Sequence, residues 1–258
     1  MDHYAEAPLV GFEHLVRCRW TASTGAVPAP SSASADASTR TPTRVVPDGC
    51  ADIHVDQDGG MRAIGTMTEA IEVPPTPGSQ LWALRLRPEA VRAVLGVPAS
   101  ELVDRTVELT DLLPRREAEA LARFTVDPAA AAPSDGRALR DAKVDPAVAG
   151  AVDVLWRTTT DVATVADEAW LSPRHLRRRL LDEVGIGPKL LQRVGRLHRF
   201  LALLDRSARS GGPGPGLAEL ALAAGYSDQA HANRDVRALA GTTPARLARE
   251  RGAIALTG

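Results

Sequence analysis

Lysine is nearly missing from this 258-residue chain: Lys143 and Lys189 stand alone among 31 basic residues, and the rest are arginine. Together with abundant alanine, that bias points to a GC-rich bacterial genome and says little about mechanism. Cysteine is as scarce. Cys18 and Cys50 are too few for a disulfide framework and suit a reducing compartment. No run of about 18 apolar residues occurs, so no membrane-spanning helix and no membrane partner are expected. The first residues lack a basic stretch followed by an apolar core, so no export signal is expected and the predicted location is cytoplasmic. Neither a glycine-rich phosphate loop nor a Ser/His/Asp arrangement stands out. No heptad repeat is present to impose a coiled-coil dimer.

What remains is ample for two ordinary domains with buried cores, since 44% of the residues are hydrophobic and 24% are charged. The net charge of −1 hides an asymmetry. Residues 143–258 carry 17 Lys+Arg against 12 Asp+Glu, a net +5, and the remainder carries 14 against 20, a net −6. A basic C-terminal half favours phosphate contact, although +5 by itself would not establish it.

Two segments of that half share one pattern. In VATVADEAWLSPRHLRRRLLDEVG, Val165, Ala166, Ala169, Leu171, Leu176, Leu180 and Val184 have the spacing that lines one side of two short crossed helices. Ser172 sits where an N-cap belongs and Pro173 follows at the first helical position, so a helix is predicted to start at Pro173. Its other face carries Arg174, His175, Arg177 and Arg178. Arginine on a helix that enters a major groove can bond guanine edges or phosphates, but a run of charge also arises as a face that simply meets water. The second segment, LAELALAAGYSDQAHANRDVRALAGTTP, repeats the logic some fifty residues on. Leu217, Leu220, Ala221, Ala224 and Tyr226 mark a short helix ending at Gly225, a residue that tolerates a left-handed turn. Ser227 or Asp228 can cap the next helix, which exposes Gln229, His231, Asn233, Arg234 and Arg237 and leaves Ala230, Val236 and Leu239 for packing. Glutamine and asparagine can read adenine as arginine reads guanine.

On these residues the chain resembles the paired helix-turn-helix domain of AraC/XylS-type regulators over about residues 145–250, through LSPRHLRRRL, VGIGPKLLQRVGRLHRFLALL and LAELALAAGYSDQAHANRDVRALAGTTPARL. The resemblance implies that a connecting helix, about Pro188 to Leu204, holds two recognition helices in successive major grooves of double-stranded DNA, about 34 Å apart. It places Ser172, Arg174, His175, Arg177 and Arg178 at the first groove and Gln229, His231, Asn233, Arg234 and Arg237 at the second. Three positions depart from the family, which usually has Phe where this chain has Leu180, a large apolar residue where it has Ala232, and Phe where it has Val236. Missing bulk in a core costs roughly 2–5 kcal/mol unless neighbours refill it, so a looser second unit is expected. SARSGGPGPG (Ser207 to Gly216) reads as an inserted loop before that unit.

The N-terminal half reads as strands. An opening segment, Leu9 to Trp20, is followed by a polar stretch rich in Pro, Ser, Ala and Thr, Thr21 to Thr43, expected as a long flexible loop. VVPDGCADIHVDQDGGMRAIGTM alternates apolar and polar residues and breaks at Gly59-Gly60, the mark of a hairpin. Further strands are expected at Thr68–Val73 and Gln80–Leu86, helices at EAVRAVLG and PRREAEALARF, and a linker at DPAAAAPSDG. Short strands with Gly/Pro turns suggest a small barrel or sandwich. RVVPDGCADIHV, GTMTEAIEV and the run beginning LWALRLRPEAVRAVLG are similar to an uncharacterised cupin-like domain found fused to AraC-type domains.

The expected architecture is therefore α+β in two domains: a cupin-like small β-barrel with helices at residues 1–126, a linker at 127–144, and an all-α domain with two helix-turn-helix units at 145–258. The expected function is sequence-specific transcription regulation without a cofactor or metal. DNA is the expected partner, with a small-molecule effector, RNA polymerase and a second copy of the chain as further candidates. Three rivals stay open. A protein-interaction module with degenerate helices would not bind DNA specifically. A metal-dependent enzyme could use Cys50, Asp52, His54 and Asp56, whose spacing by two puts them on one strand face, although alternate neighbours on one strand converge poorly on an ion. A repair transferase would need an activated Cys50. His3 and His14 read as surface residues, and Trp20 and Trp82 as packing residues rather than pocket walls.

Overall fold

The computed structural model describes residues 3–25, 42–74, 76–209 and 215–250. Eight strands occupy the N-terminal half: β1 (His3–Ala7), β2 (Val16–Ser23), β3 (Thr43–Val45), β4 (Ala51–Asp56), β5 (Met61–Ile64), β6 (Ile71–Val73), β7 (Gln80–Leu86) and β8 (Thr106–Glu108). Six of them form one antiparallel sheet in the order β1-β2-β7-β4-β5-β8, and β3 pairs separately with β6. β4 shows why the chain folds so. Its alternation buries Ala51, Ile53 and Val55 and leaves Asp52, His54 and Asp56 half-buried on the other face. The buried face joins Val16, Ala63, Leu84 and Leu86 in a core closed by α1 (Val91–Leu95) and α3 (Arg115–Val126), which contribute Val91, Leu121 and Phe124. On β2, Val16 belongs to this core while Cys18, Trp20 and Ala22 pack on the opposite face. A register shift between Val16 and Cys18 explains how residues two apart change sides.

The β4–β5 hairpin and β7 lie where the alternation placed them. The candidate strand Thr68–Val73 shrinks to Ile71–Val73, and β1 was not anticipated, because HYAEA is exposed along its whole length and carries no buried alternation. Thr21–Ser23 extends β2 and Thr43 opens β3, so the expected loop is shorter than Thr21 to Thr43, and its residues 26–41 lie outside the described residues. The expected linker is folded onto the core. It includes α4 (Arg137–Asp141), whose Leu139 is fully buried, and Asp135, which accepts from Arg123 at 2.7 Å. A short helix α2 (Leu109–Leu112) completes this half.

The C-terminal half is helical: α5 (Pro146–Arg157), α6 (Val162–Glu168), α7 (Pro173–Glu183), α8 (Pro188–Arg209), α9 (Leu217–Ala224), α10 (Gln229–Ala240) and α11 (Pro244–Glu250). α8 runs five residues beyond the expected Leu204, so Ser207–Arg209 of the supposed insertion are helical, and residues 210–214 lie outside the described residues. Two apolar cores flank α8. Val148, Leu155, Val165, Leu176, Leu180 and Leu191 make the first, and Val194, Phe200, Leu204, Leu220, Tyr226, Val236 and Leu247 belong to the second. Leu180, Ala232 and Val236 are at most 1% exposed, and Phe200 and Tyr226, ring centroids 6.1 Å apart, supply large side chains to the second core.

Trp170, in the turn between α6 and α7, is 95% exposed and has a left-handed φ of +55°. That conformation costs a residue with a Cβ about 1–2 kcal/mol, and no burial offsets it here. Trp170→Gly is expected to raise stability by roughly 1 kcal/mol, read as a Tm increase of about 2–4 °C in a thermal melt. A lower Tm would mean that the ring is held by an interaction this structure does not contain.

Candidate nucleic-acid interface

Each unit is built from its turn outward. Asp161 caps α6 by accepting from the Ala163 N–H at 2.9 Å. Ser172, extended at φ −73° and ψ 153°, caps α7 by accepting from the His175 N–H at 3.2 Å, with Pro173 at the first helical position. Leu176 and Leu180 then point into the first core, which turns Arg174, Arg177 and Arg178 outward at helical spacing. All three are exposed, and among the described residues none has an ion-pair partner. His175 is half-buried. The fourth arginine of the run behaves differently: Arg179 donates to Asp145 at 2.7 Å and to Glu183 at 3.2 Å, and those bonds keep its charge on the scaffold. Ala169 and Leu171, expected in this core, are only partly buried.

The second unit repeats the plan. α9 ends on Gly225 at φ +95°, and Asp228, rather than Ser227, caps α10 by accepting from the His231 N–H at 2.6 Å. That bond holds the Asp228 carboxyl below its ordinary value. Gln229, Arg234 and Arg237 are exposed and Asn233 is half-buried. Ala230, expected to pack, is exposed, and Ala232 takes the core position instead. His231 does not join the outward set. Its ring lies edge-on to Tyr226 at 5.2 Å, with Nε2 3.2 Å from Arg196 and Nδ1 3.1 Å from the Ser227 hydroxyl.

α8 fixes both units to one spine. Arg193 donates to the buried Asp235 of α10 at 2.5 Å, Arg196 lies over the Tyr226 ring at 5.4 Å, and Arg199 donates to the carbonyls of Ala224 and Trp156. These three positioning residues were not among the sequence candidates. Their signal was available, because Arg193, Arg196 and Arg199 recur every three residues along one side of the connecting helix.

The N-terminal half touches both units. Arg92 of α1 pairs with Asp182 of α7, and the Thr66 hydroxyl donates to the Val184 carbonyl at 3.0 Å. Arg44 of β3 donates to the Ala240 carbonyl at the end of α10 at 3.1 Å. His198 of α8 lies 2.7 Å from the Pro47 carbonyl.

The remaining sequence candidates are scattered. Asp52 holds Arg85 through two bonds of 3.1 Å, His54 stands edge-on to Trp20 at 5.1 Å, and Asp56 pairs with Arg62. Among the described residues, no group of three or more His, Cys, Asp or Glu side chains converges. Burial alone would raise the Asp52 carboxyl, but the His54 side chain and Arg85 outweigh it and hold it low. Burial pushes the Cys50 thiol well up, the opposite of what an alkyl-accepting thiolate needs. Trp20 is 7% exposed and packs, while His3 and His14 lie at the surface. No helix among the described residues is long and apolar enough to cross a membrane.

Two family models match parts of the chain. Residues 165–250 match the family model described as a helix-turn-helix domain, and residues 6–108 match one described as a domain of unknown function (DUF6597). No curated protein matches the chain. Among solved structures, ToxT from Vibrio cholerae O395 is 7% identical with a TM-score of 0.39, over 83% of this chain and 95% of that one. Unsaturated fatty acid bound wild-type ToxT from Vibrio cholerae strain SCE256 is 10% identical with a TM-score of 0.38, over 81% and 89% respectively.

Proposed function

We propose, for a chain whose C-terminal half is the AraC-type helix-turn-helix domain of a DNA-binding transcription regulator, that α7 and α10 read two successive major grooves under control of the N-terminal domain. The observation that carries the reading is the set of outward arginines, Arg174, Arg177, Arg178, Arg234 and Arg237, left without ion-pair partners among the described residues beside well-capped helix starts. Arg179 of α7 and Arg193 of α8 are paired on the scaffold, so the unpaired ones are the cations available to phosphate and guanine. In this reading Gln229 and Asn233 add base contacts in the second groove, His175 lies at the margin of the first, and Ser172 and His231 shape the helix starts.

The assignment of sensing to residues 1–126 and of docking to residues 145–258, joined by 127–144, belongs to the same proposal. Support for control comes from the bonds of Thr66, Arg92 and Arg44 to α7, its C-terminal turn and α10, since a change in the N-terminal domain would act on both units. A small-molecule effector is the proposed trigger, RNA polymerase the proposed downstream partner and a homodimer the proposed assembly.

The test is binding of the full chain to its own upstream region against a scrambled duplex at two salt concentrations. Specific readout predicts a preference of ~10³ or more. Equal binding that falls steeply with salt would reduce the chain to phosphate attraction on that fragment. No binding at all would favour a protein-interaction module.

A further inference from the structure

α6 and α9 end in the same turn. The Trp170 N–H donates to the Asp167 carbonyl at 3.0 Å and the Leu171 N–H to the Ala166 carbonyl at 2.9 Å. In the second unit the Gly225 N–H donates to the Leu222 carbonyl at 2.9 Å and the Tyr226 N–H to the Ala221 carbonyl at 3.0 Å. Trp170 and Gly225 therefore hold equivalent places, the left-handed residue that closes a helix, for which glycine is the usual choice. Their φ angles are +55° and +95°. The turn does not ask for an aromatic ring, since the second unit makes it without one. The other non-glycine residue at positive φ among the described residues, Asp104, offsets its strain by accepting from the Thr68 N–H at 2.7 Å and from the Thr68 hydroxyl at 2.6 Å. Trp170 has nothing comparable: it is 95% exposed, and its indole N–H has no partner among the described residues. A single exposed apolar residue is ordinary, but a bulky one held at left-handed φ is an outlier, and such outliers gather at working surfaces.

We propose that Trp170 is a DNA-contacting residue of the first unit, its ring lying against an uncharged surface of the duplex, a deoxyribose face or a thymine methyl group. The inference rests on the reading of α7 as a helix that enters a groove. In that docking the first helix of a unit crosses the backbone and the N-terminal end of the second meets the base edges, so the turn between them faces the duplex. Trp170 stands two residues before the cap of α7 and four before Arg174, which is exposed and unpaired among the described residues. On the α6 side the exposed Asp167 and Glu168 repel phosphate, which directs the ring to the neutral parts of the DNA. A protein partner would need a contiguous apolar patch, and the exposed neighbours Asp167, Glu168, Ser172, Pro173 and Arg174 offer one proline among four polar side chains. The two backbone bonds of the turn fix the Cα from which the ring projects, so little order is lost on contact. The two units then differ in kind, because the first has an apolar contact that Gly225 cannot make in the second.

The experiment measures binding of the full chain to its upstream region for the parent, Trp170→Gly, Trp170→Asn, Trp170→Phe and Arg174→Ala, each over a series of salt concentrations and beside a thermal melt. Trp170→Gly and Trp170→Asn should bind ~10-fold more weakly than the parent while melting no earlier, because both residues tolerate the left-handed turn. Trp170→Phe keeps an apolar ring and should stay within ~3-fold of the parent. The salt slope should be the same in all three, since an indole carries no charge to replace a counterion. In the DNA complex, acrylamide, a neutral quencher that DNA does not repel, should lose access to the Trp170 emission, obtained as the difference between the parent and Trp170→Phe. Parent-like binding by the glycine and asparagine variants overturns the contact, and Arg174→Ala then shows whether the docking of α7 falls with it. Equal quenching with and without DNA also overturns the contact. Protection of the ring that grows with protein concentration in the absence of DNA assigns it to a second copy of the chain and overturns the contact as well. A parent that shows no specific binding overturns the docking reading and the contact together.

Discussion

Arg174→Ala and Arg234→Ala are each expected to weaken binding to the specific DNA site by about tenfold or more, and together by about a hundredfold. The two side chains sit on different helices, α7 and α10, and both are exposed. Their effects should add, because they share no partner. Neither substitution breaks a bond within the described residues, so the folded state should change by less than about 0.5 kcal/mol and the melting curves should superimpose. Arg179→Ala is the internal comparison. It breaks bonds to Asp145 and Glu183, so it should lower Tm with little direct effect on DNA. The salt dependence of affinity separates the roles. Removing an arginine that sits on phosphate should reduce the slope by about one and weaken all sequences alike, while removing one that reads a base should relax specificity at one position and leave the slope alone. Unchanged affinity in both variants would sink the proposed docking.

Gly195→Ala is expected to destabilise the C-terminal half by roughly 3 kcal/mol, a Tm decrease of about 6–12 °C. A Cβ at Gly195 would fall 2.3 Å from the Trp156 carbonyl oxygen and 2.9 Å from the Trp156 Cα, so α8 and α5 approach there backbone to backbone. The neighbour cannot step aside, because Arg199 clamps the same carbonyl. Separating the helices would also open the spine that carries both units, and specific DNA affinity should fall with stability. Gly150→Ala supplies the opposite sign. Gly150 lies inside α5, is exposed, and a Cβ there meets nothing within 4 Å. Alanine in place of glycine in an exposed helix interior is worth about 0.5–1 kcal/mol, so this variant should melt later than the parent. Equal melting of the two variants would show that the close approach at Gly195 does not constrain the packing.

The helix-turn-helix units were legible because their punctuation is local. Ser172-Pro173, Gly225 and Asp228 each act within four residues of where they stand, and all do so in the structure. What could not be read depends on distant partners. Arg177, Arg178 and Arg179 are identical in sequence, yet only Arg179 meets Asp145, 34 residues away. His231 looked like its neighbours on an exposed face until Tyr226 and Arg196 drew it inward. Core membership around Ala230 and Ala232 turned on a two-residue choice between small side chains, which hydropathy does not separate. The N-terminal sheet was visible wherever one face is buried, as in β4, and invisible in β1, whose five residues are exposed throughout. The hydrogen bond from Thr66 to Val184 joins positions 118 apart, and no pattern in the sequence announces it.

The tryptophans occupy unequal environments. Trp20 is 7% exposed, Trp82 and Trp156 are intermediate, and Trp170 is 95% exposed two residues before the cap of α7. In optical terms the chain therefore holds a built-in contrast: a water-facing indole whose emission lies to the red and which dissolved iodide reaches first, against a buried indole that iodide reaches last. A difference spectrum taken with and without that quencher isolates light from the turn that leads into α7, with no label attached.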